Sequence, residues 1–248
     1  MKEFLYGRQP VRECLRARRR HIHRLLLAEG IRETGIVAEI LTLAAAIRLP
    51  VGRVNRGRLD KLAEAHQGMA LEVAGYPYVT LDQVLTRARK QDELPFCLAM
   101  DHVQDPHNLG ALLRTAEGVG VHGVIIPERR AVGITPAVVS ASAGASEHVP
   151  VCQVTNLVRT LAELKKGGLW VIGLDNSAGS MPYAEVAFDM PLVLVVGAEG
   201  AGLNDLTRRT CDILARLPMR GKVESLNASV AGAVVLYTVL RGRAYRGQ

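Results

Sequence analysis

Residues 192–237, which read LVLVVGAEGAGLNDLTRRTCDILARLPMRGKVESLNASVAGAVVLY, decide the fold. The five apolar residues 192–196 have the length and composition of a buried parallel strand, and residues 213–217 form a second apolar strand. A glycine-rich turn follows the first strand, and a loop with Pro218 and Gly221 follows the second. Because open α/β sheets bind ligands beyond the carboxyl ends of their strands, this stretch predicts a binding site.

Three polar side chains are available at that site. Glu199 lies in the first loop, and the second loop brings Ser225 and Asn227 to the start of a long apolar helix. None of the three forms an obvious nucleophile–base pair. The stretch therefore predicts a site that orients a ligand and hydrogen-bonds to it.

The composition is that of an ordinary soluble protein, with 248 residues, 48% hydrophobic and 22% charged. No apolar run reaches the roughly 18 residues that a membrane span requires, and the N-terminus lacks the apolar core of a signal peptide. The four cysteines are scattered without CxxC spacing. We therefore expect reduced thiols, no metal site, no membrane contact and a cytoplasmic protein.

The positive charge lies in the first third of the chain. Residues 1–92 hold 17 Lys and Arg against 10 Asp and Glu, whereas residues 93–248 hold 14 of each. Seven arginines fall within residues 8–24. Such a run is either a solvated helix face or a phosphate-binding surface, for which the planar guanidinium is well suited. The RNA-binding candidates are Arg16, Arg18, Arg19 and Arg20.

The first third alternates between short helices and short strands. Helices are predicted at 10–19, 33–47 and 58–65, and strands at 23–27, 50–54 and 70–74. This pattern is typical of a small α/β domain, which we assign to residues 1–75. Residues 76–93 are predicted to be a linker, with a helix that begins at Thr80 or Asp82.

The rest of the chain, residues 94–248, alternates on a longer period. Strands are predicted at 96–100, 123–126, 149–153, 169–174, 192–196 and 213–217, and helices at 109–119, 135–141, 156–166, 204–211 and 227–241. Strands that are separated by helices form a mostly parallel sheet with helices on both faces. The fold class is therefore α/β.

A second motif follows the first strand of this sheet. Asp105 and Pro106 mark a turn, and Asn108 is well placed to cap the next helix, on which Arg114 lies six residues further along. Considered alone, Asn108 is explained equally well as a simple helix cap. Arg114 is explained equally well as one partner of a surface ion pair.

Three motifs together resemble the SpoU (TrmH-type) family of RNA 2'-O-methyltransferases. They are DHVQDPHNLGALLRTAEGVG, LVVGAEGAGL and LPMRGKVESLNASVAGAVVLY, and they span about 155 residues at the C-terminal end. The basic first domain resembles the L30e-like RNA-binding domain of this family. That domain and the segment ASAGASEHVPV are most similar to the 23S rRNA guanosine-2'-O-methyltransferases of the RlmB type.

The resemblance implies a C-terminal trefoil knot that binds S-adenosylmethionine, a homodimer through the C-terminal domain, and 23S ribosomal RNA as the partner. The implied cofactor-binding residues are Gly197, Gly200, Leu217, Met219 and Leu226. The implied catalytic and positioning residues are Asn108, Arg114, Glu199, Ser225 and Asn227.

Two alternatives stay open at this point. The first is the same reaction on tRNA, and the second is a non-catalytic RNA-binding assembly factor. The intact set of polar motif residues favours an enzyme, and the separate small domain favours ribosomal RNA, because a structured loop calls for a second contact surface. The charge distribution predicts that RNA affinity resides in the first domain, and that a fragment starting near Glu93 folds and binds the cofactor alone.

Overall fold

The computed structural model of the chain describes residues 2–200, 202–223 and 225–243. The chain forms two compact units. The first comprises Met1–Pro77 together with Ile134–His148, and the second comprises Tyr78–Gly133 together with Val149–Gln248. The first unit is therefore discontinuous in sequence. No described helix combines the length and the apolar composition that crossing a bilayer requires.

Helices and strands alternate along the described chain. Those of the first 77 residues are β1 (Lys2–Tyr6), α1 (Arg8–Ala17), β2 (Ile22–Ala28), α2 (Ile36–Ala46), β3 (Val51–Val54), α3 (Arg56–Asp60) and β4 (Met69–Ala74). The later ones are α4 (Leu81–Gln91), β5 (Phe96–Asp101), α5 (Pro106–Gly118), β6 (Gly123–Pro127), α6 (Pro136–Ala141), β7 (Val151–Val154), α7 (Leu157–Lys166), β8 (Trp170–Leu174), β9 (Met181–Pro182), β10 (Leu192–Gly197), α8 (Asp205–Thr210), β11 (Ile213–Arg216) and α9 (Ala228–Gly242).

Every predicted helix and strand is present, with ends shifted by a few residues. The sequence pattern does not predict β1 and β9. Strand β1 has mixed polarity and pairs antiparallel with β4, its partner almost 70 residues away. Strand β9 is only two residues long. Neither strand leaves a local periodic signal, because each depends on a distant pairing partner.

The second unit is built on a seven-stranded sheet in the order β7-β6-β5-β10-β8-β11-β9. All of its strand pairs are parallel, which confirms the predicted fold class. Strand β10 lies between β5 and β8, and all six of its residues are buried. Its continuous apolar run is therefore explained, because strands pair with it on both sides and helices cover it on both faces. The trefoil knot stays a prediction.

Helices cover both faces of this sheet. Val84 of α4 and Leu161 of α7 belong to one core cluster with Val193 and Val195 of β10. Side chains alternate along a strand, so Val196 faces the other way, toward α5 and α9. A Cβ at Gly232 of α9 would lie 2.5 Å from Leu112 of α5 and 3.3 Å from Val196. The close packing of α9 therefore requires a glycine at this position.

The predicted linker, 76–93, contains a full helix of the second unit. Thr80 caps α4 by accepting a hydrogen bond from the Gln83 backbone N–H at 3.3 Å, and the Gln83 side chain accepts one in return from the Thr80 N–H. Val84 of this helix is fully buried in the core. A fragment that starts at Glu93 would therefore lose part of the core, which corrects the boundary expected from sequence.

The segment Ile134–His148 packs in the first unit, whose other part is the four-stranded sheet with the order β1-β4-β2-β3. A buried ion pair between Arg20 and Glu147 attaches the segment to the rest of the first unit. The shortest hydrogen bond of this pair, from Arg20 to Glu147, is 2.8 Å long. Both side chains are completely excluded from solvent. Tyr76 also donates a hydrogen bond to the Ser146 carbonyl at 2.9 Å.

A second contact holds the end of the same segment. His148 Nε2 lies 2.9 Å from Glu13 Oε2. Burial alone would raise the pKa of Glu13, but hydrogen bonds from His148 and Arg12 outweigh it, so the pKa lies below its ordinary value. The carboxylate therefore stays charged and holds the segment at neutral pH.

The arginine run is only partly a surface. Arg20 is buried and Arg19 is half-buried, with its guanidinium hydrogen-bonded to Tyr76 and to the carbonyls of Glu147 and Pro77. Arg16 is paired with Glu13 and Glu39, whereas Arg18 is exposed. The expectation that all four arginines bind RNA is therefore wrong for Arg20, which is buried. The Arg19 guanidinium is mainly engaged in hydrogen bonds within the first unit.

We expect Arg20→Ala to lower the free energy of unfolding by about 3–5 kcal/mol, because it leaves Glu147 buried without a partner. The measurement is denaturant unfolding of the whole chain. The control is Arg32→Ala, which removes an exposed arginine and should change stability by less than about 0.5 kcal/mol. Equal losses for the two variants would contradict a structural role for Arg20.

Candidate functional site

A cavity of about 370 Å³ lies at the carboxyl ends of β8, β10 and β11. Its walls come from the ends of these strands, the loops that follow them and the first turn of α9. The structure brings all five predicted cofactor-binding residues into this wall, namely Gly197, Gly200, Leu217, Met219 and Leu226. The position agrees with the rule that parallel sheets bind ligands beyond the carboxyl ends of their strands.

The loop after β10 turns back on itself. Ala198 and Gly202 exchange two backbone hydrogen bonds, of 3.1 and 2.9 Å. A Cβ at Gly197 would lie 2.2 Å from the carbonyl carbon of Gly202, so a larger residue there would collide with the loop itself. Gly197 is thus required by the chain's own backbone, in addition to the cofactor-binding role that the family resemblance implies. Gly200 has φ +76°, the left-handed region that favours glycine.

Asp175, which the sequence patterns miss, forms another part of the cavity wall. It directly follows β8 and accepts hydrogen bonds from the Ser177 N–H at 2.8 Å and from Arg208 Nε at 3.0 Å. Arg208 also donates to the Leu203 carbonyl. Burial would raise the pKa of Asp175, but these hydrogen bonds more than offset it, so the pKa lies below its ordinary value. Its place beyond a strand end was the signal that could have found it.

Three motif residues that are far apart in sequence form one hydrogen-bonded network. Asn108 Nδ2 donates to Glu199 Oε2 at 2.9 Å. Asn227 Nδ2 donates to Asn108 Oδ1 at 2.9 Å and to Glu199 Oε1 at 3.3 Å. Glu199 also lines the cavity, so the network borders it. Each carboxylate oxygen of Glu199 thereby has a fixed direction.

Helix caps place two members of this network. Asp105, not Asn108, caps α5 by accepting hydrogen bonds from the N–H groups of His107 and Asn108. This corrects the predicted cap and leaves the Asn108 side chain free to reach Glu199. Asn227 caps α9, because its Oδ1 accepts from the N–H groups of Ser229 and Val230.

The other two predicted catalytic residues lie outside the network. Ser225 lines the cavity. Arg114 is exposed on α5, about 9 Å along the helix from Asn108 and about 120° around it, as expected for six residues at 1.5 Å and 100° each. In the described ranges the Arg114 side chain makes no hydrogen bond or ion pair.

The arrangement suits binding and orientation. The cavity combines the apolar side chains of Leu217, Met219 and Leu226 with the carboxylates of Asp175 and Glu199. Such a wall fits a ligand with a flat apolar part and a positively charged part. The amide groups of the network can hold a hydroxyl group beside the charged part of that ligand.

Comparison with known proteins agrees with this arrangement. A model of the SpoU rRNA Methylase family matches residues 95–237, and a model described as RNA 2'-O ribose methyltransferase substrate binding matches residues 4–79. The chain is 44% identical to YacO of Bacillus subtilis, whose name assigns it to the TrmH family of tRNA/rRNA methyltransferases. That similarity covers 97% of this chain and 96% of YacO.

Two solved structures extend the comparison. The SpoU methyltransferase AviRb from Streptomyces viridochromogenes, solved with its cofactor AdoMet, has a TM-score of 0.82 and 23% identity, over 98% of this chain and 91% of AviRb. At that identity the likeness shows a shared fold. The A. aeolicus TrmH/SpoU tRNA modifying enzyme has a TM-score of 0.57 and 28% identity, over 66% of this chain and 86% of that enzyme.

We expect Ala231→Leu to reduce the affinity for S-adenosylmethionine at least tenfold, because the longer side chain fills the cavity that Ala231 lines. Calorimetric titration measures the affinity, and the unfolding temperature reports on the fold. The matched control is Ala231→Ser, which leaves most of the space open and should bind normally. Full affinity in the leucine variant would place the ligand elsewhere.

Proposed function

Since the chain belongs to the SpoU rRNA Methylase family, we propose that it methylates the ribose 2'-hydroxyl of one nucleotide, a guanosine, in 23S ribosomal RNA. S-adenosylmethionine is the methyl donor. The observation that carries the proposal is the network of Asn108, Glu199 and Asn227, which borders a cavity at the end of three parallel strands. The compartment that fits this activity, and the four free cysteines, is the cytoplasm.

The residues of the cavity fit this cofactor. Its volume of about 370 Å³ is within the usual range for small-ligand sites. Leu217, Met219 and Leu226 would enclose the adenine, and the Glu199 carboxylate would face the positive charges of the methionine part, since Asp175 is already paired with Arg208 at 3.0 Å. When bound, the cofactor supplies an electrophilic methyl group on a sulfonium sulfur.

The chain's own residues then hold the ribose in place. The 2'-oxygen would lie in line with the methyl group, so that the new C–O bond forms as the methyl–sulfur bond breaks, and its proton would pass to a phosphate oxygen of the RNA. Glu199 would accept a hydrogen bond from the nucleotide, with Asn108 and Asn227 positioning its carboxylate. Ser225 would shape the wall. A guanidinium stays protonated, so Arg114 would stabilise the developing oxyanion and would not act as the base.

The first unit would bind the RNA. Besides Arg18, it presents a cleft of about 660 Å³ that is lined by Arg8, Arg32 and Arg56. Arg32 and Arg56 are exposed, and among the described residues neither has an ion-pair partner. Three guanidinium groups in one cleft fit the phosphates of an RNA strand. Arg16 would contribute from the edge of α1, whereas Arg20 serves the fold.

Ribosomal RNA is the favoured substrate because of the additional unit. The tRNA-modifying neighbour matches only 66% of this chain, close to the extent of the methylase match. A 2'-O-methyltransferase that acts on tRNA, or an RNA-binding protein without activity, is the alternative. Incubation with labelled S-adenosylmethionine and transcribed 23S rRNA or tRNA, followed by mapping of 2'-O-methyl groups, distinguishes the three.

A homodimer would form on the exposed side of α9. Val235, Leu236 and Val239 are buried within the chain, whereas Val230, Val234 and Tyr237 are 39–56% exposed and share one helix face. Gly118 of α5 lies beside Tyr237, and Arg114 is one turn earlier on that helix. A second copy on this face would therefore cover apolar surface next to Arg114.

We expect Arg114→Ala to lower kcat at least about a hundredfold, the scale seen when a positioned electrostatic group is removed, with little change in cofactor affinity. Arg114→Lys should restore little of the rate if the planar fork is needed. Single-turnover methyl transfer measures both. Full activity of the lysine variant would rule out a bidentate role.

The double variant Arg32→Ala/Arg56→Ala should weaken RNA binding at least tenfold and reduce the salt slope by about 1.4, at roughly 0.7 per phosphate contact with single strands. The control is Arg24→Ala/Arg53→Ala, which removes the same charge from arginines already paired with Glu72 and Glu33. Binding isotherms at several salt concentrations give both quantities. Equal effects of the two variants would show that only net charge matters.

We expect Val234→Glu to shift the protein from dimer to monomer at micromolar concentration, because it places a charge in the centre of the exposed apolar face. Analytical ultracentrifugation measures the change. A wild-type protein that sediments as a monomer would contradict the dimer outright.

A further inference from the structure

The strands of the large sheet end along one edge, and this edge has two parts. The cavity takes up the ends of β8, β10 and β11, and the network of Asn108, Glu199 and Asn227 stands at the ends of β10 and β5. If the cofactor occupies the cavity, the nucleotide has to approach from the remaining side, above β5 and β6. This step rests on the proposed function.

The loop after β6, residues 128–133, occupies that remaining side, and we call it the basic loop. The Glu128 N–H donates to the Val154 carbonyl at 2.9 Å, which holds its start against the end of β7. The Val132 N–H donates to the Val103 carbonyl at 3.0 Å, and Gln104 Nε2 donates to the Arg130 carbonyl at 3.4 Å. The basic loop is thus attached to the segment that leads directly into Asp105 and Asn108.

Arg129 and Arg130 project from this anchored loop. Both are exposed, and in the described part of the chain neither side chain makes a hydrogen bond or an ion pair. Arg130 has φ +58°. Glu128 is the acidic neighbour in the same loop, and it too is exposed. Some other cations of this unit are engaged, namely Arg159 with Glu163 and Lys165 with Asp212.

The two arginines lie at a distance from the network that an RNA backbone can span. Strand β6 is two strands away from β10, and neighbouring strands lie about 4.8 Å apart, so its end is about 10 Å from the end of β10. The guanidinium group pairs bidentately with phosphate oxygens. A loop anchored by these hydrogen bonds, whose two guanidinium groups have no partner among the described residues, is suited to fixing the strand on which the ribose is carried.

We propose that Arg129 and Arg130 bind the backbone phosphates next to the target nucleotide and so position its ribose over the network of Asn108, Glu199 and Asn227. The second unit then contributes its own RNA contact, although its formal charge is close to neutral. The two arginines are positioning residues, since they would hold the strand without touching the reacting atoms.

The test compares the variant Arg129→Gln/Arg130→Asn with the wild-type chain. Asparagine is chosen at 130 because it tolerates the left-handed backbone found there. The control is Lys90→Ala/Lys166→Ala, which removes two exposed charges at the ends of α4 and α7, on the opposite edge of the sheet. The substrate is the transcript, 23S rRNA or tRNA, that the wild type methylates faster.

We expect the KM for RNA to rise at least tenfold and the salt slope to fall by about 1.4, with S-adenosylmethionine affinity and unfolding temperature unchanged. The variant Arg129→Lys/Arg130→Lys should recover most of the affinity, because a phosphate also accepts a point charge. A KM and slope equal to those of the control would overturn the inference.

The design separates this inference from the function on which it rests. A wild-type protein that binds the cofactor but methylates neither transcript contradicts the proposed function, and the inference falls with it. An active wild type whose rate and KM do not change on loss of the two arginines overturns the inference alone. A lysine variant as defective as the Gln/Asn variant would also count against phosphate binding.

Discussion

Strand β10 is the constraint on which the second unit depends. It pairs with β5 on one side and β8 on the other, and its six residues are all buried. A strand in this position has no freedom of register, since a slip by one residue would turn its apolar side chains to the wrong face. The loop that follows it is therefore delivered to one fixed place, at the ends of three neighbouring strands.

That placement makes the site. Glu199 comes two residues after β10, and from there it reaches Asn108 at the start of α5 and Asn227 at the start of α9. Two helix caps, from Asp105 and Asn227, hold the neighbouring backbones in place. The turn of the loop allows no side chain at Gly197. The geometry of the polar network is thus a consequence of backbone packing more than of the polar groups themselves.

Charge in the first unit is divided between a buried ion pair and an open cleft. Arg20 is committed to Glu147, which attaches a segment from the middle of the chain to the first unit. A buried pair of this kind contributes little net stability but is costly to break, so it specifies where the segment packs. Arg8, Arg32 and Arg56 line an open cleft in the same unit. The arginines of this cleft are therefore scattered in sequence, and two of the three lie beyond the dense run.

The sequence by itself determined the order and type of nearly all helices and strands, the parallel α/β class, and the residues of the three motifs, because apolar periodicity, glycines and caps act locally. It also indicated which residues would line the cavity. Only the tertiary structure decided that α4 is part of the second unit, that Arg20 is buried, that Asp105 caps α5 in place of Asn108, and that Asp175 joins the site. Except for the Asp105 cap, whose partners are the nearby N–H groups of His107 and Asn108, each of these depends on a partner distant in sequence. Glu147 is 127 residues from Arg20, and Glu199 is 91 residues from Asn108. Burial and pairing of polar groups are set by such long-range contacts, which no local pattern of residues encodes.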